Sequence, residues 1–109
     1  MLNKLDSMEL IEQLVKENDM ALLYFSGENC GVCKSIRPKV EEILATYPKI
    51  KGAYIDVENH PHLGVSYSIF TIPSIVFFIE GKETLRESRH LSIQELDNKI
   101  NRYYSLLFE

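Results

Sequence analysis

Six consecutive residues without a charge, Met20-Ala21-Leu22-Leu23-Tyr24-Phe25, constrain the fold of this chain more than any other stretch. The run is short and is closed by the turn-forming residues Ser26-Gly27-Glu28-Asn29, so it reads as a strand. With no polar alternation along it, that strand has to be buried on both faces, which places it inside a sheet covered by helices on either side. The flanking sequence supplies those helices. Ser7 caps a helix whose apolar residues Met8, Ile11, Leu14 and Val15 recur at helical spacing, ending near Asn18 and Asp19. After the turn, a second helix is expected from about Gly31 to Tyr47, with Ile36, Val40, Ile43 and Leu44 on one stripe and a kink at Pro38.

The remaining elements alternate and then change character. A short strand at Leu2 to Leu5 precedes the first helix. Lys51 to Val57 reads as another strand, with Ala53-Tyr54-Ile55 at its centre, and His60 to Tyr67 as a short helix followed by a loop. Strand, helix, strand is the order of parallel strands joined by right-handed crossovers. Beyond Pro73 the spacing shortens: Ile75 to Ile79 forms a strand, Glu80-Gly81-Lys82 a tight turn and Glu83 to Arg89 a return strand, hence an antiparallel hairpin. A last helix starts at Ser92, with Glu95 three residues on in a capping box, and turns Ile93, Leu96, Ile100, Tyr103 and Tyr104 inward. The expected architecture is α/β, a mixed four- to five-stranded sheet flanked by helices on both faces, with residues 1–109 as one domain.

Charge and cysteine usage narrow the function. The net charge is -4, and the 12 Lys and Arg residues are scattered rather than massed in a stripe, so no nucleic-acid partner is expected. The first residues carry no signal-peptide pattern, and no stretch approaches the ~20 apolar residues of a membrane helix. Neither a membrane nor export is expected, and the cytoplasm is the expected location. Both cysteines of the chain, Cys30 and Cys33, lie three positions apart, which leaves no other cysteine for a stapling framework. Such a pair in a non-exported chain indicates redox or metal chemistry.

The placement of the pair decides what chemistry it can do. A cysteine at the first turn of a helix meets unpaired backbone N–H groups and the positive end of the helix dipole, which favour a thiolate. The Cys30 pKa should therefore fall below the ~8.5 of a free thiol. Two intervening residues bring the Cys33 sulfur back one turn to face Cys30, so a mixed disulfide formed at Cys30 can be resolved by Cys33. Gly31 allows a substrate backbone to approach, Val32 adds an apolar wall, and Lys34 and Arg37 add positive charge further along the helix. The plainer alternative is two buried cysteines with this spacing by coincidence.

At these residues the chain resembles the thioredoxin family over nearly its whole length. Leu22-Leu23-Tyr24-Phe25 resembles the family's central strand, and Cys30-Gly31-Val32-Cys33-Lys34 its redox motif with the trailing lysine. Pro38 stands where the family's kinking proline stands, and Thr71-Ile72-Pro73-Ser74 followed by Ile75-Val76-Phe77-Phe78 and Glu80-Gly81-Lys82 resembles the cis-proline loop, strand and hairpin. The resemblance implies a thioredoxin fold, a cis Ile72-Pro73 bond, and substrate recognition by the Ile72 backbone beside Cys30 as a small case of strand addition. It also implies disulfide-containing protein substrates, a flavin-dependent thioredoxin-type reductase as electron donor, and no bound cofactor.

The chain departs from the family at four points. Asn29 replaces a Trp, Val32 replaces a Pro, Tyr24 replaces the buried carboxylate under the active site, and Gly52 stands where a lysine often pairs with that carboxylate, Lys51 being one step off. Water or Glu28 would then have to carry the proton of the resolving thiol. Three functions follow: a thiol-disulfide oxidoreductase acting as a reductant, a thioredoxin-fold binding or sensor module with little turnover, and a metal-binding CxxC protein using His60 and His62 as further ligands.

Overall fold

The computed structural model describes residues 2–88 and 90–109. Nine elements follow one another: β1 (Leu2–Lys4), α1 (Met8–Glu17), β2 (Met20–Ser26), α2 (Gly31–Thr46), β3 (Ile50–Asp56), α3 (Pro61–Ser66), β4 (Ser74–Ile79), β5 (Lys82–Glu87) and α4 (Ile93–Phe108). The strands form one sheet in the order β1-β3-β2-β4-β5, with β1, β3 and β2 parallel and β4 and β5 antiparallel to their neighbours. The charge-free run is the middle strand, pairing Tyr24 with Tyr54 on one side and with Ile75 on the other.

Alternate residues of this sheet feed two cores. Met20, Leu22 and Tyr24 point to the face covered by Val40, Ile43 and Leu44 of α2 and Leu96 and Ile100 of α4. Ala21, Leu23 and Phe25 point to the opposite face, under Ile11 and Val15 of α1 and Leu63 of α3. Every residue of β2 is buried, and this two-sided burial is what the lack of alternation demanded. Helix α2 lies so close to β3 that a methyl group built on Gly52 would collide with Leu44 Cδ1. A larger residue there would have to displace the Leu44 side chain from the core, which accounts for the absence of a long side chain at that position.

Caps and turns explain most of the boundaries. Ser7 Oγ accepts from Leu10 N at 3.2 Å and Ser92 Oγ from Glu95 N at 3.2 Å, starting α1 and α4 where the sequence indicates. The hairpin is tighter than expected. Glu80 and Gly81 both have positive φ, 50° and 81°, so the turn contains only these two residues and Lys82 already pairs with Ile79. A bulge between Phe77 and Phe78 shifts the register by one residue, and β5 ends at Glu87, short of the Arg89 expected. Arg89 itself lies outside the described residues. On α4, Leu96 and Ile100 are buried while Ile93, Tyr103, Tyr104 and Phe108 pack on the rim of the core; Leu106 stays 77% exposed.

A candidate thiol-disulfide site at the start of the second helix

The site is built where β2 ends and α2 begins. Cys30 is the N-cap residue of α2, in extended backbone conformation, and Lys34 N donates to its carbonyl at 3.2 Å. Cys30 and Cys33 are joined as a disulfide with their Cα atoms 5.2 Å apart. The Cys33 amide points at the Cys30 sulfur, 3.2 Å away. That amide is one of the unpaired donors of a helix start, so the same geometry stabilises a thiolate on Cys30 once the bond is reduced. Burial separates the two sulfurs: Cys30 is half-buried, whereas Cys33 is 1% exposed.

Below Cys33 lies Tyr24, fully buried, its hydroxyl donating to the Cys33 carbonyl at 2.6 Å. Burial pushes this phenol up to about 12; the Arg37 charge works against the rise, and Tyr54 adds to it. At neutral pH Tyr24 is therefore an un-ionised phenol whose proton is committed to the Cys33 carbonyl. The Arg37 guanidinium stacks over the Tyr54 ring at 4.4 Å and, with Lys4, Lys34 and Glu28, lines a cleft of about 230 Å³ that reaches Cys33. Lys51 takes no part, because the two-residue period of β3 turns it to the opposite face from Tyr54, where it is exposed.

The Ile72-Pro73 bond is cis, as the family resemblance implies. Pro73 is buried and Ile72 half-buried, and neither the N–H nor the C=O of Ile72 has a partner among the described residues. This segment is placed by the end of α3, where Ser68 adopts a left-handed φ of 58°. Ser68 N bonds Val65 O at 2.9 Å and Ile69 N bonds Gly64 O at 2.8 Å, a helix-ending pattern that glycine usually serves. Val32 (39%) and Phe70 (79%) are exposed apolar side chains. His60 and His62 contact each other edge to face, and among the described residues no group of three or more His, Cys, Asp and Glu side chains converges as a metal site.

The sequence model of the Thioredoxin family matches residues 2–102 of this chain. The chain belongs to the thioredoxin family. It is 32% identical over 102 residues to the thioredoxin-like protein YdfQ of Bacillus subtilis, covering 94% of this chain and 91% of that protein. Among solved structures, Fasciola hepatica thioredoxin superposes with a TM-score of 0.84 at 30% identity, over 93% of this chain and 98% of that one. Trypanosoma brucei brucei thioredoxin gives 0.87 at 20% identity, over 96% and 92%, a likeness of fold. This thioredoxin-family chain, with its paired cysteines at disulfide distance, is a thiol-disulfide oxidoreductase. No helix among its described residues is long and apolar enough to cross a membrane.

Two features of this thioredoxin site escaped the sequence. One is the stacking of Arg37 on Tyr54, which joins residues remote in the chain. The other is the turn after β3. Buried Asp56 accepts from Glu58 N at 3.0 Å, Asn59 N at 3.1 Å and Asn59 Nδ2 at 2.6 Å, and so shapes the segment facing the active-site loop. An Asp side chain that accepts from the backbone two and three residues on is a common turn device, here closed by Asn59. Burial by itself pushes the Asp56 carboxyl up. The amide and side chain of Asn59, the Glu58 amide and the Lys4 charge outweigh it and hold the group below its ordinary 3.8. A depressed folded pKa adds stability above 3.8 that is lost as the pH falls through the lower folded value. Asp56→Asn is therefore expected to cost roughly 1–3 kcal/mol at pH 7, the scale of a disturbed buried hydrogen-bond network, and less near pH 3. Denaturant titration of both proteins at the two pH values checks this; an equal gap at both would disconnect Asp56 from acid stability.

Proposed function

We propose that the chain reduces protein disulfides in the cytoplasm, with Cys30 as attacking thiol and Cys33 as resolving thiol. The observation that carries this reading is the asymmetry of the pair: Cys30 is half-buried with its sulfur facing the Cys33 amide, while Cys33 is 1% exposed. In the forward half-reaction the Cys30 thiolate attacks one sulfur of a substrate disulfide, forming a mixed disulfide and expelling the other substrate sulfur as a thiolate. Cys33, after losing its proton, attacks the Cys30 sulfur, closes the internal disulfide and expels the second substrate thiolate. Water, or Glu28 at the cleft beside Cys33, takes that proton.

Gly31 and Val32 form the surface over which the substrate approaches, and the unpaired Ile72 backbone next to buried Pro73 receives an extended substrate strand. The oxidised pair returns to the dithiol with electrons from a flavin-dependent thioredoxin-type reductase. Confinement of both cysteines to the motif fits a compartment that keeps thiols reduced.

Alkylation of the reduced protein near pH 7, followed by peptide mass analysis, should label Cys30 at least tenfold faster than Cys33, given the helix-start amide directed at its sulfur and its greater exposure. Faster labelling of Cys33 would invert the roles. Reduction of insulin with dithiothreitol as electron source tests the activity itself, and the reduction potential of the Cys30–Cys33 couple fixes its direction.

A further inference from the structure

The loop that presents Cys30 contains no tryptophan and little apolar surface to hold it, yet it has an anchor from outside. Glu58, on the turn after β3, accepts a hydrogen bond from the Asn29 amide at 2.9 Å. Its side chain also lies flat against Gly27: a methyl group built there would overlap Glu58 Cδ, Cγ and Oε1, while no positive φ requires glycine at this position. Gly27 is buried, and its carbonyl accepts from Cys30 N at 3.3 Å, so the atoms Glu58 covers lead directly to the cysteine. Glu58 is held in turn by its own amide on Asp56 Oδ1.

We propose that Glu58 is the positioning residue of the exchange loop: its carboxylate clamps the Asn29 amide across Gly27 and sets how the Cys30 sulfur is presented to a substrate disulfide. The clamp rests on the assignment of Cys30 as attacking thiol. Thiol-disulfide exchange needs the attacking sulfur in line with the bond that breaks, so slack in the preceding loop lowers the rate of productive encounters. Glu58 touches no reacting atom and acts only through the loop.

Four variants test the clamp by the second-order rate of insulin reduction, with denaturant stability measured beside it. Glu58→Ala should slow reduction roughly fivefold, the net scale of one solvent-exposed hydrogen bond. Glu58→Gln, which keeps an oxygen acceptor, should recover most of that loss. Gly27→Ala should match Glu58→Ala, because its methyl group evicts the carboxylate without touching Glu58 itself. The double variant Gly27→Ala/Glu58→Ala should be no slower than either single one, since both remove the same contact. The clamp is overturned if Glu58→Ala keeps the parent rate, if Gln restores nothing, or if the two single losses multiply. A parent that reduces insulin while Glu58→Ala does so equally fast leaves the Cys30 assignment standing; a parent that reduces none overturns both.

Discussion

Reduced Cys33→Ser protein is expected to accumulate stable covalent complexes with disulfide-containing proteins, and Cys30→Ser protein is expected to form none. In the first variant the half-buried Cys30 still attacks, with the amide of residue 33 still directed at its sulfur, but the thiol that would release the product is gone. The mixed disulfide then waits for an external thiol, and its lifetime rises by orders of magnitude because the internal attacker had been held at high effective concentration. In the second variant the remaining sulfur is 1% exposed beneath the surface and meets no protein disulfide. Both variants lose insulin reduction by at least a factor of ~1,000, the scale set by removing a nucleophile or its intramolecular partner. Non-reducing gels of a mixture with oxidised insulin read the outcome. Equal trapping by the two variants would mean that surface oxidation, and not directed exchange, makes the adducts.

The second large effect is expected at Tyr24. Fully buried, with its phenol pushed up to about 12 and its hydroxyl already donated to the Cys33 carbonyl, this side chain cannot accept the proton that Cys33 must lose. A carboxylate there could. General acid-base assistance is typically worth a factor of ~100 or more, so Tyr24→Asp protein that folds should resolve mixed disulfides faster by up to that factor. Stability moves the other way: a cavity replaces the ring, and a carboxyl is buried in an apolar strand, together costing roughly 3–5 kcal/mol. Tyr24→Phe separates the two roles. It keeps the ring and loses only the bond to the Cys33 carbonyl, so it should cost about 1 kcal/mol and leave proton transfer unaltered. Insulin reduction and denaturant titration of the three proteins side by side decide the matter. Parental turnover in a folded Tyr24→Asp variant would show that proton transfer through this position does not limit the reaction.

The elements and the chemistry were legible where the determinants are local. Uninterrupted apolarity from Met20 to Phe25 implied a strand buried on both faces, Ser7 and Ser92 marked helix starts, and the three-residue spacing of Cys30 and Cys33 placed two sulfurs on one helical turn. Each of these depends on contacts within a few residues, so spacing and side-chain type suffice. The hairpin turn is one residue shorter than the sequence suggests because Glu80 gives no sign in its side chain that it will adopt a left-handed φ; the right-handed twist of the flanking strands selects that conformation.

Long-range packing decided the rest. That Gly52 has no room for a side chain follows from Leu44, eight residues away in sequence and packed onto it by the crossover of α2, and from Leu2 of β1. Tyr24 could be recognised in the sequence as a substitution for a carboxylate, but its bond to the Cys33 carbonyl depends on how α2 crosses the sheet. Glu58 offered no motif, since an exposed glutamate on a turn looks like any other until the fold brings it against Asn29, 29 positions earlier. Sequence alone determined that two cysteines could exchange a disulfide here, because helix geometry is set by neighbours in the chain. Which sulfur is sealed, what lies beneath it and what steadies the loop were decided by the tertiary structure, because each depends on distant segments meeting at one end of the sheet.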